Sequence, residues 1–522
     1  MKYQFSDIIN PNLWKKKFLL FILLLVILPS ILNNNPSRDV YLYDETFYLE
    51  SGDTLSGFQD AASYSFYYKI LSKIWKNPVE RYFSNYLLLV FGLCFILISI
   101  AKSSRELLIH TSFLSLVIVS QLIVSAMPFI TIFSSILIIL AIYTYYQRNF
   151  TAFIFVSFVL AYARVEFFSF FILSIIFVFL YFLKKNKKRL ILPTSIYLIG
   201  FCIAILRNPS SQERAYIAFC QHYAFSKFQR GLYFDDPWTT CDGLLLQDFG
   251  HSGTLSKVLF GNIPAFLEHA FLNIGLLLEV IAKNINLPIV FVLIVLVMIF
   301  LAEMYRLAVS IRRRRLSLFL DSVFLWVLFG FSIVGSILYY PRDHYILQIL
   351  VVLLFSAKRG MHFLKVSFVR KKIRQYKIYL LTFGFIIFMM LISLYFKNQK
   401  KMTISGLEKE CSVLRLVETI KYLNLNENNI LSPDGSFCVY LGKKNCENVY
   451  SYEKNKNFQE FIKERKVNII ILTEYYEKNT IYRDDSEFRK FIESNYKLNE
   501  NISFEEVSLY TCKARKILLK KE

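Results

Sequence analysis

The eight cysteines include no Cys-x-x-Cys pair, so the chain lacks zinc-finger and zinc-ribbon spacing. No Gly-rich phosphate loop opens a helix in the polar C-terminal part, which leaves a nucleotide site unsupported. The first apolar run, about Phe18 to Leu32, has no convincing small-x-small cleavage site and reads as an uncleaved first span. No internal repeat is detectable, which argues against a transporter or flippase built from repeated halves. Acidic residues are few: 39 stand against 61 lysines and arginines, a formal net charge of +22.

What is present is apolar sequence. Hydrophobic residues make up 55% of 522 and the mean hydropathy is +0.41, in repeated apolar runs of roughly bilayer length. In lipid such runs must be helical, because each backbone polar group has to be satisfied within its own segment. The basic excess sits in short connections: Lys15 to Lys17, Lys184 to Arg189, Arg312 to Arg315, and "VRKKIRQYK" from Val369 to Lys377. That is the positive-inside pattern of a membrane protein, and it removes nucleic acid as the partner such a charge would otherwise suggest.

Charge parity then sets the expected topology. The N-terminus is cytoplasmic, the first span leads out, and an outer loop covers 33–83. A second span covers about Asn85 to Ala101, and four short helices lie between Glu106 and Leu183. These are broken at Ser125 to Pro128, Gln147 to Asn149 and Arg164 to Glu166. A span at Leu190 to Leu206 leads to a second outer loop, 207–286. Its apolar part, 263–281, contains Glu268, His269 and Glu279 and reads as an interfacial helix, since a crossing there would put Arg312 to Arg315 outside. Spans at Leu287 to Leu301, Leu316 to Leu338, His344 to Phe355 and Ile378 to Phe396 bring the total to about eleven, within a transmembrane domain over 1–396.

Residues 397–522 differ, with about 23 basic against 19 acidic residues. The expected elements are a helix at Val413 to Leu425, a strand at "NNILSP" and a β-rich run at "FCVYLG". A helix at "NFQEFIKERK", a buried strand at "VNIIILTE" and a closing strand at "VSLYTCK" follow. They predict a small α/β extracytoplasmic domain. Even cysteine numbers in the second loop (Cys220, Cys241) and in this tail suit an oxidising compartment, with pairing left open.

This topology gathers ionisable residues on the outer face: Asp44, Glu45, Glu50, Asp53, Arg164, Glu166, His222, Asp235, Asp236, His251, Arg342, Asp343 and His344. Charges near bilayer depth are costly and tend to serve function. A carboxylate there can take a proton from an acceptor hydroxyl, and arginines can grip a phosphate leaving group. Asp44 is equally placed to N-cap a helix. Arg164 and Glu166, two apart, do not face each other on a helix. Asp235-Asp236 could hold a divalent cation, but acidic pairs in loops are usually solvated; no metal site or cofactor is assigned.

The first-loop stretch "YDETFYLESGD", "YARVEFF" at a helix junction, "YYPRDHYILQILVVLL" entering a late span, and the α/β tail together resemble the type C glycosyltransferase superfamily. The likeness is to its dolichyl-phosphate-mannose mannosyltransferase-like and bacterial lipid-linked-sugar transferase branches. The resemblance implies a polytopic helical membrane enzyme in the cytoplasmic membrane. It would transfer a sugar from a polyprenyl-phosphate donor to a glycan, lipid or protein acceptor outside. It implies Asp44 as catalytic base with Glu45 beside it, Arg164 and Arg342 on the donor phosphate, and Glu166, His251, Asp343 and His344 as further site candidates. The chain departs from the family by lacking a Pro-Pro motif after the acidic pair and by reading Arg342-Asp343-His344-Tyr345 in place of Arg-Tyr. It has no Trp-Trp-Asp, which speaks against transfer of a preassembled glycan to asparagine. The alternatives are a transporter or flippase of lipid-linked glycan and a non-catalytic membrane protein with a partner-binding extracytoplasmic tail.

Overall fold

In a computed structural model the described residues are 17–18, 21, 43–55, 61–119, 129–183, 200, 212–238, 240–250, 253–285, 288–312, 316–363, 413–423, 428–432, 437–441, 446–449, 457–473, 476, 480–499, 502–507 and 515–521. Most of the expected first span, the span at 190–206 and the span at 378–396 lie outside them.

The helical body begins with a hairpin, α1 (Tyr43–Thr54) and α2 (Ala62–Ser72). Then come α3 (Pro78–Ser99), α4 (Ser104–Val119), α5 (Ile130–Tyr146), α6 (Phe150–Ala163) and α7 (Phe168–Leu183). The helix breaks fall where the polar residues stand. Asn77 caps α3, with Pro78 at its first position, and Asn149 caps α6 after Arg148 takes a positive φ of 59°. A further set comprises α8 (Gln212–Gln229), α9 (Cys241–Phe249), α10 (Leu255–Gly261), α11 (Ile263–Ile285), α12 (Ile289–Arg312), α13 (Leu316–Leu338) and α14 (Ile346–Phe363).

Four of these, α3, α11, α12 and α13, are long and apolar enough to cross a membrane. Among the described residues the expectation of about eleven crossings is not supported. The apolar helices between 130 and 181 are shorter than 18 residues, and at 1.5 Å per residue they span less than a bilayer core of about 30 Å.

Between lipid-embedded helices, close packing replaces water exclusion as the cohesive force. Tyr145 of α5 stacks on Phe324 of α13 with centroids 4.0 Å apart, and Gln348 of α14 donates to Ser134 Oγ of α5 at 2.6 Å. One end of the bundle is tied by charge. Asp321 of α13 meets Arg148 (2.9 Å) and Arg359 of α14 (3.4 Å), Lys358 meets Glu106 of α4 (3.0 Å), and Lys17 donates to the Ser99 carbonyl. The connections at 164–166 and 339–345 sit at the opposite end.

The C-terminal domain has a six-stranded mixed sheet of order β2-β1-β3-β6-β5-β4. Its strands are β1 (Asn428–Leu431), β2 (Cys446–Val449), β3 (Ile469–Thr473), β4 (Lys497–Asn499), β5 (Ile502–Glu506) and β6 (Arg515–Lys520). β1 runs parallel to β2 and β3; the remaining pairs are antiparallel. The helices are α15 (Val413–Tyr422), α16 (Phe437–Leu441), α17 (Phe458–Glu464), α18 (Thr480–Arg483) and α19 (Ser486–Glu493). β3 is apolar without alternation because both faces are covered. Ile469 and Ile471 pack with α15 and α16, while Ile470 and Leu472 pack with α17 and α19.

The strand expected at "FCVYLG" is instead the helix α16. Its Val439 leaves the domain and joins the core of the helical body near α3, and Cys438 is bonded to Cys446 of β2. A five-residue apolar run has no decisive period, so tertiary contacts choose its conformation. The run "VSLYTCK" lies mostly outside the described residues; strands β5 and β6 flank it.

Candidate functional site

The site starts from a buried acid. Glu45 of α1 is fully enclosed, and burying a carboxylate demands donors. It has them: Tyr64 Oη donates at 2.6 Å, Tyr68 Oη donates to the same oxygen, and the Phe129 N–H donates to the other at 2.7 Å. Asn85 of α3 completes the set, donating to Tyr64 Oη at 2.8 Å. Tyr64 and Tyr68 are four apart on α2 and so share a face. Burial pushes the Glu45 carboxyl up to about 7, against the opposing pull of these hydrogen bonds. Burial likewise raises the Tyr64 and Tyr68 hydroxyls well above their usual range, with the Glu45 charge adding to it, so they stay neutral donors.

The neighbouring acids are placed differently. Asp44 lies in the first turn of α1. Asp53, near the helix's end, pairs with the buried Arg81 of α3, and its carbonyl accepts from Lys69 Nζ at 2.7 Å. Glu45 and Asp53 thus fasten α1 to α2, α3 and the start of α5.

Arg164 closes α6 in an extended conformation (φ −143°, ψ 115°), and a short 3-10 turn, Val165–Phe167, leads into α7. The expectation that Arg164 and Glu166 do not face each other fails for that reason: the backbone is not helical at 164, and Arg164 Nε reaches Glu166 Oε1 at 2.8 Å. The guanidinium lies over the Tyr345 ring, 5.0 Å from its centroid. Burial works against its charge, but Glu166, Tyr345 and Tyr48 outweigh it and hold Arg164 above its usual pKa. Tyr48 also meets the Tyr64 ring edge-on at 5.3 Å, so it links the Glu45 and Arg164 clusters.

Tyr345 ends the 3-10 turn Asp343–Tyr345 that opens α14, with Arg342 just before it. Arg342 is half-buried among aromatic rings, 5.0 Å from Trp238 and 5.8 Å from Phe225, and donates to His222 Nδ1 at 3.3 Å. Asp343 is exposed and accepts from Asn284 of α11 at 2.7 Å. His344 lies on the backbone of this turn.

His222, Phe225 and Trp238 belong to a small unit of α8 to α10, pinned by a Cys220–Cys241 disulfide. Asp242 beside the disulfide accepts from Tyr216 Oη, so the grouping of Cys220, Cys241 and Asp242 is a covalent link next to an occupied carboxylate. Asp236 is buried and accepts the Trp238 N–H at 3.5 Å, capping the turn; Asp235 is exposed. Arg483 of α18 pairs with the neighbouring Asp484 at 2.9 Å. His251 lies outside the described residues.

Glu45, Arg164, Glu166, Arg342 and Asp343 therefore come together at one end of the bundle. Sequence reasoning missed Tyr48, Tyr64, Tyr68, Asn85, Tyr345 and the His222–Trp238 platform. The i, i+4 tyrosines of "SYSFYYKIL" were the available signal. Comparison with known proteins finds no matching family model, no matching curated protein and no matching solved structure.

Proposed function

We propose that the chain is an integral membrane glycosyltransferase of the type C kind, with its C-terminal domain outside the cytoplasmic membrane. It moves a sugar from a polyprenyl-phosphate donor to an extracytoplasmic acceptor. The observation that supports this reading is that Glu45, bonded to Tyr64 whose ring meets Tyr48, and Arg164, over the Tyr345 ring three residues after Arg342, lie at one end of the bundle although they are about 120 to 300 positions apart in sequence.

Asp44 takes the proton of the acceptor hydroxyl as that oxygen bonds to the anomeric carbon. The bond from that carbon to the carrier phosphate breaks, and its electron pair leaves with the phosphate. Arg342 stabilises the charge that develops there, since a preorganised cation in a site shielded from water acts strongly on a leaving group. Glu45 is the positioning residue that fixes the start of α1, its carboxylate being taken up by protein donors. Arg164, paired to Glu166 and stacked on Tyr345, orients the 339–345 turn and adds positive potential behind Arg342. The Trp238 and Phe225 rings supply faces on which a sugar stacks.

The test compares surface glycans of cells carrying wild type and Asp44→Asn at matched expression and equal thermal stability. Loss of one glycan species is expected. Unchanged glycans remove Asp44 from the mechanism.

A further inference from the structure

Helix α11 meets the length and composition of a membrane span, yet its surface is divided in a way that a span is not. Its inward face is buried and mixed: Leu277, Ile281 and Ala282 join the apolar core, and beside them stand three polar residues, His269 at 2% exposed, Asn273 at 0% and the buried Asn284. All three polar residues bond the connection between α13 and α14. His269 Nε2 donates to the Tyr339 carbonyl at 3.0 Å, Asn273 Nδ2 to the Ile337 carbonyl at 3.0 Å, and Asn284 to Asp343 at 2.7 Å. Asn273 and Asn284 are eleven residues apart, about 16 Å along a helix. Both touch the stretch 337–343, and α11 also packs against α12 and α13.

Its outward surface is split in two. Ile263, Leu267, Phe271 and Ile274 are exposed and, at about 100° per residue, share one arc. Phe271 is 70% exposed. Glu268, Gly275, Glu279 and Lys283 are exposed on a different arc, with Leu272 the one exposed apolar side chain among them. A crossing helix would turn Glu268 and Glu279, also about 16 Å apart, toward hydrocarbon, where each charge costs several kcal/mol. A helix lying in the bilayer surface gives each arc its own medium: protein, lipid and water. α12 follows after three residues and is itself exposed at Phe291, Ile294, Val295 and Met298.

We propose that α11 is an interfacial strap whose Ile263–Leu267–Phe271–Ile274 arc is bound by the acyl region just beneath the headgroups of one leaflet, and whose polar face holds the Arg342 turn. This needs only a bilayer and stands apart from the glycosyltransferase reading.

Nitroxide labels at Ile263→Cys, Ile274→Cys and, as a deep reference on α12, Met298→Cys test it in reconstituted full-length protein. The measurement is depth, from relaxation by oxygen against a water-soluble nickel chelate. Equal, shallow depths at 263 and 274, with 298 deeper, are expected. Depths at 263 and 274 differing by about 16 Å would make α11 a span and overturn the inference. So would strong nickel access at both positions, which would put the arc in water.

Discussion

At the residue scale, Glu45 is the group with the largest consequence. Its carboxyl is raised from 4.5 to about 7 by burial. A raised acid stabilises the fold fully below its unfolded pKa and loses that contribution as pH rises through the folded value. The ionised form should therefore cost about 3 kcal/mol above pH 7, at 1.36 kcal/mol per pKa unit. Unfolding in detergent at pH 5 and pH 8 checks this. Wild type should lose more stability between the two than Glu45→Gln, whose side chain does not titrate. Equal losses would show that Glu45 is ionised throughout. Tyr64 and Tyr68 remain neutral across this range and do not confuse the comparison. The acidic pair was legible in the sequence, but not the enclosure of Glu45. Which carboxylate is enclosed depends on Asn85 and Phe129, 40 and 84 residues away. Arg164 and Glu166 show the same limit from the backbone side: helical spacing says they diverge, and one extended residue lets them pair.

At the scale of elements, the α1–α2 hairpin depends on a close approach at Gly52. A Cβ there would collide with Tyr68 Cβ and come within 3.2 Å of the Ser65 carbonyl oxygen, so one helix would have to move off the other. Gly52→Ala should destabilise the protein by about 1–3 kcal/mol, the usual range for overpacking. Because Tyr68 would be displaced, Glu45 would also lose a donor. Thermal unfolding of Gly52→Ala beside Gly92→Ala, whose Cβ would meet only Ile136 at 3.5 Å, separates a local clash from loss of glycine as such. A drop confined to position 52 is expected, and equal behaviour at both sites would count against close packing there. The helix breaks at 147–149 and 164–166 and the buried strand β3 were readable because each has a local cause: a cap, a charge pair or a continuous apolar run. The conformation of "FCVYLG" was not, since α16 is held by the Cys438–Cys446 link and by Val439 packing on another domain.

At the scale of the whole molecule, the two ends of the bundle differ in kind. One end holds Lys17, Glu106, Arg148, Asp321, Lys358 and Arg359 in ion pairs and carbonyl contacts. The other holds the Glu45 and Arg164 clusters and the Cys220–Cys241 unit, while the C-terminal domain carries a disulfide of its own. Disulfides persist in oxidising compartments, and basic residues are retained on the cytoplasmic side. In the proposed topology the ion-paired end is cytoplasmic and the disulfides are outside, so both rules are met by different residues. Impermeant reagents on sealed right-side-out vesicles test the assignment. An amine-reactive label should modify Lys257 of α10 and spare the exposed Lys102 between α3 and α4 until the membrane is permeabilised. An impermeant phosphine should open both disulfides in the same intact vesicles. Labelling of Lys102 from outside, with Lys257 protected, would invert the molecule and put the Glu45–Arg342 end in the cytoplasm. A lipid-linked donor presented outside could not then reach it.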